Sequence, residues 1–169
     1  MINFISSDVL FKIATLNAGL RAAAEVNGFG PLKIKGLILH HPFFGGLERT
    51  GSELRLGAGS GFNLKGCDLM WELSLPVGAD RDHEYCNPVV RGESGQLDRV
   101  RVLDWRVLVT GCFGDLLIDR QMEFKKMLEE KGLKTVAHFG EGHHGMEISE
   151  PLKAKELFVI INEFIGCDN

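Results

Sequence analysis

Two loops carry residue types that could do acid–base chemistry together. One is Gly111-Cys112-Phe113-Gly114-Asp115-Leu116-Leu117-Ile118-Asp119-Arg120, and the other is Gly140-Glu141-Gly142-His143-His144-Gly145. A carboxylate held in a turn can fix an imidazole in its working tautomer, and the imidazole can then take or give a proton. On composition alone Asp115 reads first as a solvated turn residue, and Asp119 reads as a helix cap. Asp precedes His in the chain, each in a loop of its own. A third loop, His40-His41-Pro42-Phe43-Phe44-Gly45-Gly46, offers a paired His. Adjacent side chains on an extended chain point oppositely and no acidic cluster accompanies this pair, so it reads as structural rather than as a metal site. Phe43 and Phe44 beside it are candidate lining for a pocket, as is Trp71.

The elements around these loops set where they can lie. Ile34 to Leu39, Trp105 to Thr110 and Lys134 to Phe139 are short apolar runs ended by turn signals, which suits strands of a parallel sheet. Leu10, Ile13, Leu16 and Leu20 predict a helix from about Asp8 to Val26. A second helix is expected over Gln121 to Lys131 with Phe124, Met127 and Leu128 on its buried stripe, Asp119 as its cap and Gly132 as its stop. A third should open at Pro151 and run through Phe164, with Ser149 or Glu150 capping it. Strand and helix alternate as in an α/β protein. Catalytic residues of such sheets gather beyond the carboxyl ends of the strands, so Asp115 and His144 should share one mouth. The stretch from 47 to 101 fits the alternation less well and reads as a cap-like insertion, with a short helix over Asp68 to Leu73. Gly57-Ala58-Gly59-Ser60-Gly61 lies between no strand and helix, so it is a loop rather than a phosphate cradle.

Composition narrows the classes. The 169 residues are 44% hydrophobic and 25% charged, with net charge −4, which fits one globular domain. The basic residues form no stripe, which argues against nucleic acid. No stretch reaches membrane-spanning length, and the N-terminus lacks a signal-peptide pattern, so a cytoplasmic protein is expected. Cys67, Cys86, Cys112 and Cys167 form no C-x-x-C pair and read as free thiols.

Several stretches carry a closer resemblance: Ala18 to Ala23, Leu32 to Leu39, His41 to Gly46, Ser52 to Leu56, Leu75 to His83, Cys86-Asn87-Pro88, Asp115 to Gln121, and Val136 to Glu147. Together they resemble the C-terminal part of the plant carboxylesterase family of the α/β-hydrolase fold, over nearly everything after residue 17. That family includes 2-hydroxyisoflavanone dehydratases and the gibberellin receptor. The resemblance implies a partial α/β-hydrolase fold, a mainly parallel sheet flanked by helices with the N-terminal half missing. It makes Asp115 the orienting acid and His144 the general base of small-ester hydrolysis, with no cofactor. The receptor branch lacks this His, which favours the esterase side.

The pattern breaks at the front. The family's Gly-x-Ser-x-Gly elbow precedes the helix containing Ala18-Gly19, and counting back places Val9 at the serine position. Ser6 and Ser7 lack the flanking glycines, and the His-Gly-Gly oxyanion motif is absent. Residues 1–17 are divergent, residues 57–66 depart from the family's acidic, Pro-containing segment, and Phe113 stands where an Asp is usual. An Asp–His pair without nucleophile or oxyanion hole has nothing to activate. The expectation is a chain inactive alone, with a non-catalytic binder of a small apolar ligand, or a truncated gene product, as the alternatives. The missing neighbour of the strand over Ile34 to Leu39 would leave an open sheet edge, so self-association is expected.

Overall fold

The structure is a computed structural model describing residues 2–5, 12–59, 62–90 and 95–166; Val9, Ser6, Ser7 and Cys167 lie outside the described residues. Its centre is a four-stranded parallel sheet in the order β1 (Ile2–Ile5), β2 (Lys33–His40), β3 (Arg106–Cys112) and β4 (Lys134–Gly140). Helix α1 (Lys12–Ala24) joins β1 to β2, and α5 (Ile118–Glu130) joins β3 to β4. The segment between β2 and β3 holds α2 (Gly51–Leu56), α3 (Leu64–Ser74) and α4 (Gln96–Val102). A four-residue α6 (Met146–Ser149) and then α7 (Pro151–Gly166) follow β4.

Alternation along the inner strands explains the layers. Successive strand side chains point to opposite faces. Leu37, Leu39, Val107 and Val109 therefore join one core with Leu16 and Leu20 of α1, Leu97 and Val100 of α4, and Phe124 and Leu128 of α5. The residues between them, Ile38 and Leu108, pack on the opposite face under Phe164 of α7, with Ile160 and Ile161 alongside. Arg106 closes that end by donating Nη1–H to the Phe164 carbonyl at 2.9 Å while its guanidinium lies over the Phe164 ring. β2 and β3 are nearly continuous in their burial. β4 lies at the sheet edge and exposes every second residue from Lys134 to His138.

The edge expected to stand open along β2 is paired over its first part. Ile2, Asn3 and Ile5 of β1 pair in parallel with Lys33, Ile34 and Leu37. A four-residue run with weak strand signal takes the place because β2 offers it a full row of unpaired amides and carbonyls. That part of the edge is not free to pair with a second chain. Among the described residues no helix is long and apolar enough to cross a membrane.

Two local expectations also change. Asp119 does not cap α5, whose cap position is Leu117. The Asp119 carboxylate instead accepts from the Ser52 amide at 2.7 Å, and Ser52 Oγ donates to the Leu116 carbonyl at 2.8 Å. A tertiary donor outcompetes the local one. Alongside it, Thr50 and Glu53 form a complete capping box at the start of α2. The predicted helix over Asp68 to Leu73 is longer and starts at Leu64, with Asn63 accepting from the Gly66 amide.

The α2–α5 junction is fastened by a buried ion pair. Arg120 Nε donates to Glu53 Oε1 at 3.0 Å, with the two side chains 8% and 1% exposed. Glu53 Oε2 also accepts from the Thr50 amide at 3.0 Å. Removing one partner leaves an uncompensated buried charge, so Arg120→Ala is expected to cost about 3–5 kcal/mol. Urea denaturation of wild type and variant measures this, and a loss below about 1 kcal/mol would mean that Glu53 finds water or another donor.

Candidate active site

The ladder brings the three loops to one mouth. His40 lies opposite Thr110, and Thr110 opposite His138, so the parallel strands end almost level. Beyond that level the chain leaves through His41, Phe113 and Glu141. Phe113 N–H donates to the Gly140 carbonyl and Gly114 N–H to the Gly142 carbonyl, each at 2.9 Å, which laces the Asp115 turn to the His144 loop. Gly114 is needed there, since a Cβ on it would lie 2.2 Å from the Gly142 carbonyl oxygen. Gly142 takes φ +137°, a backbone that other residues rarely adopt.

At the centre, His144 Nδ1 lies 2.7 Å from Asp115 Oδ2. Asp115 is only 1% exposed. Its remaining acceptor sites are taken by the Gln121 side-chain amide at 3.1 Å on Oδ2 and the Leu117 N–H at 3.0 Å on Oδ1. Burial alone pushes its carboxyl up. The His144 hydrogen bond and charge, the Leu117 amide and the nearby His41 together outweigh burial and hold it below the ordinary carboxylate value. An ionised Asp115 has no proton to give, so Nδ1 of His144 is the protonated nitrogen and Nε2 is the one left to exchange a proton. The Phe62 ring stacks on His144 at 4.2 Å and 18°. Leu56, Phe62, Gly114, Leu116 and His143 join the pair around a cavity of about 160 Å³.

Phe43, Phe44 and Trp71 are all buried, and they divide between two clusters. Phe43 lies 6.0 Å from Phe62 and 5.5 Å from Trp71, ring centre to ring centre, in an apolar cluster with Leu116 and Leu117 beside the pair. Phe44 is not among them. It is buried in the main core with its ring 4.7 Å from Phe124.

The paired His departs most from expectation. His41 takes φ +43°, so the chain is not extended there, and its ring stacks on His40 at 4.2 Å. An acidic partner is also present, for Glu147 Oε1 accepts from His40 Nε2 at 2.8 Å, while His40 Nδ1 meets Thr110 Oγ1 at 2.6 Å. Burial raises and the His40 hydrogen bond and charge lower the Glu147 carboxyl, which ends at about 2 against an ordinary 4.5. His40, His41 and Glu147 place possible metal-ligand atoms within 4.8 Å of one another, as do His41, Cys112 and Asp115. Stacked rings hold their lone pairs side by side rather than converging on one ion, and the Asp115 oxygens are already filled by three donors. Both sets suit a hydrogen-bond network better than tetrahedral ligation. Phe62, Gln121 and Glu147 escape a sequence reading because each acts through a partner distant in the chain or in a loop without a pattern.

The chain belongs to the α/β-hydrolase fold family, whose model matches residues 13–147. Its relatives include plant carboxylesterases. It is 48% identical over 155 residues to carboxylesterase 20 of Arabidopsis thaliana, covering 88% of this chain and 46% of the relative. It is 45% identical over 136 residues to 3-O-acetylpapaveroxine carboxylesterase CXE2 of Papaver somniferum, covering 80% and 44%. Gibberellin receptor GID1B of Arabidopsis thaliana is also similar, at 39% over 120 residues, covering 70% and 31%. The chain thus spans less than half the length of these relatives. Among solved structures, esterase LipW of Mycobacterium marinum shares the fold with a TM-score of 0.66 at 24% identity, over 87% of this chain and 44% of that one.

The close approach of the two loops makes a sharp demand on Gly114. Gly114→Ala forces backbone against backbone and is expected to cost about 1–3 kcal/mol, as overpacking does. Chemical denaturation reads the loss, and a variant as stable as the parent would contradict the lacing of the loops.

Proposed function

We propose that this chain carries the acid–base half of a carboxylesterase-type acyl-transfer site for a small ester. Asp115 is the orienting acid and His144 the general base. The observation that supports this reading most is the 2.7 Å hydrogen bond from His144 Nδ1 to a carboxylate with almost no exposure, beside a small cavity. In such a site the imidazole takes the nucleophile's proton through Nε2 and later returns it to the leaving alcohol. The carboxylate stabilises the imidazolium formed between those steps. The chemistry needs no cofactor.

The 169 residues contain no Gly-x-Ser-x-Gly and no His-Gly-Gly. Val9, at the position aligned with the nucleophile, has no oxygen to acylate. By themselves these residues therefore do not turn over an ester, since acyl transfer requires both an activated nucleophile and donors for the oxyanion. A second reading, non-catalytic binding of a small apolar ligand, draws support from Phe62, Leu56 and Leu116, which line the cavity beside His144.

The test uses the purified chain. Hydrolysis of p-nitrophenyl acetate should not exceed that of a His144→Ala control, and a fluorophosphonate probe should leave the protein unlabelled. Stoichiometric labelling at Ser6 or Ser7 would overturn the inactive reading and reveal an unorthodox nucleophile.

A further inference from the structure

The turn carrying His144 is fastened on the side away from Asp115 by residues that the proposed chemistry does not use. Gly145 N–H donates to His41 Nδ1 at 3.2 Å, across 104 residues of chain. Two residues further on, Glu147 accepts from His40. Both ties run to the end of β2, the strand on the opposite side of β3 from the one that feeds this turn. His41 is 2% exposed and its ring lies 5.2 Å from that of His144.

We propose that His41 is a positioning residue for His144: its Nδ1 takes the Gly145 N–H and, together with the His40–Glu147 tie, clamps the turn so that His144 Nδ1 meets Asp115. The inference rests on reading Asp115 and His144 as the acid–base pair and adds the element that holds them in register. Three features of His41 fit the task. Its left-handed backbone turns the ring back over His40 instead of away from it. An acceptor at Nδ1 requires that this nitrogen carry no proton. Burial first, then the neighbouring His40 and His144, push His41 down to about 3, so at neutral pH the acceptor is present and no second positive charge faces His144.

The role separates cleanly from mere filling of space. Asn at position 41 tolerates a positive φ and offers a carbonyl oxygen on Cγ, where His has Nδ1; Ala offers no acceptor and disfavours that backbone. Neither replaces the ring. The readout is the proton on His144 Nδ1, whose charge-assisted hydrogen bond should give an NMR resonance downfield of the amide envelope, absent in Asp115→Asn. The expected pattern is a resonance in the wild-type chain, its loss in His41→Ala and its return in His41→Asn. Glu147→Ala should lose or broaden it while keeping a cooperative thermal transition.

An unchanged resonance in His41→Ala overturns the proposal. So does a folded His41→Asn that fails to restore it. If His41→Ala does not fold, Glu147→Ala decides, loss supporting the clamp and an unchanged signal overturning it. Absence of the resonance from the wild-type chain would defeat the Asp115–His144 pair itself, and the clamp with it.

Discussion

An ionised carboxyl taken almost wholly out of water is tolerable only if its lone pairs are filled. Asp115 meets this condition with three donors that come from its own turn, from the first turn of α5 and from the loop after β4. The need for all three ties the C-terminal ends of β3 and β4 to α5. Gln121 extends the tie to β2, since its side-chain amide also donates to the Pro42 carbonyl at 3.3 Å. The arrangement that could do chemistry and the arrangement that makes a buried charge acceptable are one and the same.

The sheet makes this convergence possible. Parallel strands in level register deliver His41, Phe113 and Glu141 to one mouth. Leu37, Leu39, Val107 and Val109 hold the helices on one face while Ile38 and Leu108 seat α7 on the other. Burial of these strands is the dominant driving force, and the polar network sits at their ends, where side chains rather than ladder partners must satisfy the backbone. Phe62 stacks on His144 at this mouth with Phe43 and Trp71 buried behind it, and His40 at the end of β2 holds Glu147. The ion pair of Glu53 and Arg120 fastens α2 to α5.

Much of this was legible in the residues. Three apolar runs with their stop signals read as β2, β3 and β4, and the Asp-then-His order after β3 and β4 pointed to the pair, because strand ends and turn residues are local features. What escaped was non-local. β1 pairs with β2 because an exposed ladder rewards even a short strand, and a run of four residues is too brief to announce one. Asp119 obeys a tertiary donor at Ser52 instead of the cap rule. Phe44 reads as pocket lining beside Phe43, yet adjacent side chains point apart, and the packing of α5 claims Phe44 for the core. His40 and His41 failed the alternation rule because one residue sits at positive φ, and their acidic partner lies 107 residues away.

The central claim is that a buried, ionised Asp115 holds the proton of His144 on Nδ1. Nitrogen-15 chemical shifts of the His144 imidazole, recorded in its neutral form, test that claim most directly. The account predicts a protonated-type shift at Nδ1 and an unprotonated-type shift at Nε2. The reverse assignment, or fast averaging between the two tautomers as in a free imidazole, would contradict it.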